Sequence, residues 1–109
     1  NLLHQEKIIS QTDGILEEKT GLNELEFIET RRHWFDRAVK HYTNGSVNVL
    51  NLVEGEEAIV TSPENLFAPF VVHYAETFII PENIKEYTIA PYGKSKGPKI
   101  ATLKAYVRV

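Results

Sequence analysis

The chain has no cysteine and no methionine among its 109 residues. Without cysteine there are no disulfides and no thiolate metal sites, which fits a reducing compartment; we expect a cytoplasmic protein. The chain begins at Asn1 and has no methionine to initiate it. It is therefore expected to be a piece of a longer protein, with an upstream domain as its first partner. No apolar run approaches membrane length, and no signal-peptide pattern opens the chain, so no membrane partner is expected. Positive charge is scarce. Twelve Lys and Arg against 15 Asp and Glu leave a formal net charge of −3, so there is no electrostatic case for nucleic acid. Amphipathic helices of three turns and internal repeats are lacking as well.

What remains is a chain of short strands separated by turn signals. Residues 5–10 and 15–20 flank the turn Thr12-Asp13-Gly14, and Gly21 to Glu24 connects onward. Leu25 to Thr30 alternates apolar and acidic residues, as a half-buried strand does. Arg31-Arg32-His33 reads as a charged break. Further strands are expected at Ala58 to Thr61, Phe70 to Tyr74, Thr77 to Ile80 and Ile84 to Ala90. In the last segment Ala101, Leu103, Ala105, Val107 and Val109 alternate with Thr102, Lys104, Tyr106 and Arg108. This spacing predicts a single all-β domain over 1–109, a jelly-roll barrel or β-sandwich of about 8–10 antiparallel strands. Residues 1–33 would supply leading strands and a connector, and residues 34–107 the core.

The strongest local signal is Asn44-Gly45, because both residue types tolerate the positive φ of a type I′ turn. It predicts a hairpin of Trp34–Thr43 with Ser46–Glu54. That register sets His41 opposite Asn48, Val39 opposite Leu50, and Arg37 opposite Leu52. Opposite residues share a face, so Arg37, His41 and Asn48 should lie with Phe35, Val39 and Leu50. An Arg on such a face needs an anionic partner, because burying it unpaired is costly. Either a carboxylate (Glu54, Glu56 or Glu76) or a ligand phosphate meets that need. These three residues are the candidate ligand site.

Other motifs are weaker. Gly93-Lys94-Ser95 resembles the end of a phosphate loop, but Thr88 stands where the first glycine is required and no helix follows. Asn44-Gly45-Ser46 is formally a glycosylation sequon, already explained by the turn. Lys94, Lys96 and Lys99 read as a solvated loop. The four histidines, His4, His33, His41 and His73, show no ligand spacing, and His4, His33 and His73 are expected at surface or cross-strand positions. A nucleophilic triad has no support: there is no cysteine and no Gly-x-Ser-x-Gly elbow.

Two segments resemble cupins: Val49 to Glu56, a strand running into a glycine turn, and Tyr74 to Pro81, a small-acidic turn leading into a strand that ends at proline. With Ile84 to Ile89 following, residues 34–107 look most like the C-terminal cupin of type I mannose-6-phosphate isomerases. The resemblance implies a sugar-phosphate context and an aldose–ketose isomerisation in the parent protein, with a divalent metal such as zinc held by the parent's N-terminal cupin. Metal-binding cupins carry a His-x-His pair, a Glu and a later His. Here those positions fall at His41, Thr43, Asn48 and near Tyr87. One ligand of four leaves nothing to carry over, so no metal, no cofactor and no catalytic residue are expected in this domain. Its expected role is a structural or site-wall one, and the chain by itself is expected to be inactive. The alternative is a non-catalytic module that binds a sugar or effector, or one that dimerises.

Overall fold

The computed structural model describes residues 7–12, 15–19 and 28–107. Strands dominate: β1 (Lys7–Thr12), β2 (Ile15–Lys19), β3 (Ile28–Phe35), β4 (Val39–Tyr42), β5 (Asn48–Glu54), β6 (Glu57–Thr61), β7 (Phe70–His73), β8 (Thr77–Ile80), β9 (Glu86–Pro91) and β10 (Ile100–Val107). A 3-10 turn at Gly93–Ser95 is the sole helical element among the described residues. None of these elements is a helix long and apolar enough to cross a membrane. Strand pairing is antiparallel throughout, in a six-stranded sheet ordered β1-β2-β3-β10-β5-β8 and a four-stranded sheet ordered β4-β9-β6-β7. From β3 onward the chain changes sheet at almost every connection, as a jelly roll does. The expected all-β jelly-roll sandwich is the fold observed.

Asn44 and Gly45 have φ of 53° and 82°, and the Ser46 amide donates to the Thr43 carbonyl at 3.1 Å. The turn is therefore real, but its flanking strands do not pair with each other. Both edges of β5 are taken, by β10 and β8, so β4 is left to pair with β9 in the opposite sheet. The expected hairpin is instead a corner between sheets. His41 and Asn48 consequently approach one another from opposite walls of the interior. A second correction concerns Arg31-Arg32-His33, which lies inside β3 and is not a break. Its charges are met by β2: Arg31 pairs with Glu17 at 3.1 Å, Arg32 with Glu18 at 3.3 Å, and His33 with Glu17 at 3.1 Å. The expectations for His4, for 20–27 and for Asp13-Gly14 lie outside the described residues.

Inward positions follow from the shared registers. Phe35, Leu50, Leu52, Val60, Ile89 and Ile100 are essentially fully buried and form one core with Ala58, Val72, Phe78 and Ile80. Burying side chains of this kind contributes roughly 1.5–3 kcal/mol each. β10 runs against its own hydrophobic pattern. Its partners place Ile100, Thr102, Lys104 and Tyr106 inward, level with Phe35, His33, Arg31 and Glu29 of β3. Leu103, Ala105 and Val107 face outward, where Val107 joins Ile28, Val49 and Ile79 as exposed apolar residues on the outer face of the large sheet. Along the inward rows the interior grades from the apolar level of Ile100 and Phe35 to the charged level of Tyr106 and Glu29.

The close approach of β10 to the β5–β6 corner depends on Gly55, whose φ is 107°. A Cβ there would meet Ile100 Cγ2 at 2.5 Å and Ile100 Cβ at 2.9 Å. The corner is also tied by the buried Ser95 hydroxyl, which accepts from the Glu56 and Glu57 amides at 2.9 and 2.7 Å. Gly55→Ala is expected to lower stability by about 2 kcal/mol or more, from the positive φ and the overpacking together. A shifted urea midpoint checks this; an unchanged midpoint would show that the corner tolerates a side chain.

Candidate functional site

The polar end of the interior opens as a cavity of about 300 Å³. Its lining comes from β2 (Ile15, Glu17), β3 (Arg31, His33), β4 and the following turn (Val39, Lys40, His41, Tyr42, Asn44) and β10 (Lys104, Tyr106). Alternation accounts for the residues from β2, β3 and β10, since Ile15 and Glu17 pair with Phe35 and His33, and Lys104 with Arg31; β4 is an edge strand and contributes residues of both its faces.

Lys104 is 8% exposed, and its Nζ lies 3.1 Å from His41 Nδ1. An ammonium has only donors, so Nδ1 is the acceptor and the imidazole proton sits on Nε2. That Nε2 is buried with no partner among the described residues. Burial holds the His41 pKa well below 6.5, with the Lys104 and His33 charges adding to the effect. His41 is thus a neutral imidazole at physiological pH. Burial also lowers Lys104 from 10.5 to about 8, against a partial pull from Glu17. None of the described carboxylates forms an ion pair with Lys104, and Glu17 and Glu29 are engaged elsewhere. Glu17 accepts from His33 Nε2 and Arg31, and Glu29 accepts from Arg31 and from the Tyr106 hydroxyl at 3.2 Å. The hydrogen bond from His33, with help from Arg31, brings Glu17 down from 4.5 to about 2 despite burial.

On the deeper side, the His41 ring stacks on Tyr87 with centroids 5.2 Å apart and planes 11° from parallel. Asn48 Nδ2 donates to the Tyr87 hydroxyl at 2.7 Å. Burial pushes the Tyr87 phenol up, so it remains protonated. His33 meets His41 edge-on at 4.6 Å.

Of the three candidate residues, His41 lines the cavity, and Asn48 lies behind it, bonded to the Tyr87 on which His41 stacks. Arg37 does neither. It lies in the bend between β3 and β4, exposed, with its Nε donating to Asp36 at 2.9 Å. Strand alternation does not carry through that bend, because the chain changes sheet there; the expectation that Arg37 shares a face with Phe35 and Val39 is corrected accordingly. Sequence reasoning did not single out Lys104, His33, Glu17 or Arg31 as a group. The signal was present in the matching sets Glu17-Glu18 and Arg31-Arg32-His33, and in the polar parity of Thr102, Lys104 and Tyr106.

Neither family models nor curated proteins match the sequence. Solved structures do match it in fold. An RmlC-like cupin from Shewanella frigidimarina superimposes with a TM-score of 0.68 at 18% identity, over 96% of this chain and 86% of that one. The fold is that of a cupin. The same barrel occurs within vicilin from Corylus avellana (hazelnut), with a TM-score of 0.73 at 15% identity, over 100% of this chain and 34% of that one. It also occurs within mannose 6-phosphate isomerase from Bacillus subtilis, with a TM-score of 0.64 at 15% identity, over 94% of this chain and 28% of that one.

Cupin metal centres provide a test for the residues at the corresponding positions here. His41 Nδ1 already accepts from a lysine, and a cation 3.1 Å away repels a divalent ion. Thr43 Oγ1 donates to the Glu82 carbonyl at 3.4 Å, and the Tyr87 hydroxyl, protonated and accepting from Asn48 Nδ2, offers no anionic donor. Among the described residues no group of three or more His, Cys, Asp or Glu side chains has metal-holding geometry. This donor set does not suit a divalent metal.

The Glu17 carboxylate carries a pH dependence with a definite sign. Its folded pKa lies below its unfolded one, so its contribution is fully present above pH 4.5 and is lost as the pH falls towards about 2. Glu17→Gln is expected to be less stable than wild type at neutral pH and to lack this part of the acid loss. Urea midpoints measured through the acid range check both. Parallel acid limbs in the two proteins would contradict it.

Proposed function

We propose that this chain is a cupin domain that takes a small anionic sugar derivative, a sugar phosphate in the first instance, into the polar end of its barrel without a metal. The parent we infer is a mannose-6-phosphate isomerase-like enzyme, in which this domain is the C-terminal cupin and serves as architecture or as a wall of the site. Aldose–ketose isomerisation needs a base within hydrogen-bond reach of the substrate proton and a group that polarises the carbonyl. That chemistry is assigned to the upstream domain, the first partner of this one. The absence of cysteine supports a reducing, cytoplasmic setting.

The observation that carries the reading is the Lys104 cation. It is buried, hydrogen-bonded among the described residues only to a neutral imidazole, and faces a cavity whose other charges are largely paired. A buried charge without a counter-ion is costly, and an anionic ligand would remove that cost. The second reading, an effector-binding module of some other multidomain protein, rests on the same cavity and differs only in the parent.

Titration with mannose 6-phosphate, followed by NMR, tests the binding. Shifts are expected at His33, His41 and Lys104, stronger than with mannose, and unchanged in Arg37→Ala because Arg37 lies outside the cavity. No shifts at millimolar ligand would remove the binding role and leave an architectural one. The chain alone is expected to show no isomerase turnover; measurable turnover would mean that the chemistry had been assigned to the wrong half of the parent.

A further inference from the structure

Lys104 holds a buried amine at the wall of the cavity. We propose that Lys104 is a reversible covalent anchor: its Nζ forms an imine with the carbonyl of a small anionic aldehyde or ketone, such as the open-chain form of a phosphorylated sugar. This rests on the reading above, that the cavity takes an anionic sugar derivative, and adds the mode of attachment.

Three observations support it. Nζ is removed from bulk water yet faces a cavity large enough for a small sugar, so a carbonyl group can be brought beside it. It is not locked in an ion pair, because Glu17 is held by His33 and Arg31. Its one hydrogen bond among the described residues runs to His41 Nδ1, so His41 acts as a positioning residue, fixing one N–H while leaving the nitrogen lone pair available when the amine is neutral. Charged and titratable groups from each packed element bear on the amine. Glu17 favours the ammonium, Arg31 opposes it, and burial opposes it most, so that a useful share is free base near neutral pH. Desolvation is a known means of activating a lysine nucleophile.

The step balances without an oxidant or a reductant. The ammonium releases one proton to water, and the Nζ lone pair attacks the carbonyl carbon. The C–N bond forms while the C=O π pair moves to oxygen, which takes up a proton. From that carbinolamine the nitrogen loses a proton, the hydroxyl is protonated, and the C–O bond breaks to release water. The products are one imine and one water, and hydrolysis reverses the sequence. An anionic group on the ligand offsets the charge of the protonated imine.

The test is reductive trapping on the wild-type chain. Glyceraldehyde 3-phosphate is incubated with the protein and cyanoborohydride, and the adduct is located by peptide mass mapping. Lys104 is expected to be labelled at least about tenfold faster than Lys85, Lys94, Lys96 and Lys99, which are exposed and lie outside the cavity. Uncharged glyceraldehyde should label it more slowly, and Lys104→Arg should lose the fast adduct while keeping the fold. Labelling that favours the exposed lysines and spares Lys104 would overturn the proposal. Glycerol 3-phosphate, which has no carbonyl, separates the two claims. If it shifts the His33 and His41 resonances while Lys104 is spared, the imine fails and the binding reading stands. If it causes no shifts and Lys104 is spared, both fail.

Discussion

The structure depends on the phase of one strand. β10 lies between β3 and β5 in the large sheet, hydrogen-bonded to both. Its register turns Thr102, Lys104 and Tyr106 inward and Leu103, Ala105 and Val107 outward. A slip by one residue would exchange these sets, because side chains alternate with a period of two. Leucine and alanine would then face the interior, and the cavity would lose Lys104 and Tyr106. Ile100 pins the phase: it is fully buried, packs against the β5–β6 corner where Gly55 makes room for it, and stands opposite Phe35. The apolar end of the barrel thus sets the polar end.

Keeping charge inside a barrel requires each group to be held by another. Arg31 sits between Glu17 and Glu29, Tyr106 bonds Glu29, and His33 bonds Glu17. Burial is the largest influence on both His41 and Lys104, and it acts on them in the same direction, towards neutrality. The outcome is a mutually supported wall with one amine left over. Such an arrangement is poor as a stability device, since a buried cation without a carboxylate works against folding. It is coherent as a device for holding an anion, which is why the functional reading centres on it and not on the surface loop of Lys94, Lys96 and Lys99.

Much of the fold could be read in the sequence, because it is written locally. Turn residues at Asn44-Gly45 and the alternation of β10 report backbone conformation within a few residues. Strand partners are not written that way. The Asn44-Gly45 turn forms as expected, but which strand pairs with β4 is decided by competition for the edges of β5, and that involves β8 and β10, some thirty to fifty residues away. Arg31-Arg32-His33 looked like a break for the same reason: its counter-charges sit on β2, out of sight of a local window. His41 and Asn48, the residues named beside the turn, are both buried in one interior. Arg37 was misplaced because alternation was carried through a bend. Lys104 was missed because a lysine on the polar parity of a strand ordinarily faces water.

The central claim is that a lysine amine lives inside this barrel on a neutral imidazole. The most direct measurement is an NMR titration of the Lys104 side chain, read at Cε in the ligand-free protein. The account predicts a midpoint near 8, well below the ordinary 10.5. A midpoint at the ordinary lysine value would contradict it, because it would place the amine in water and remove the basis for an interior site.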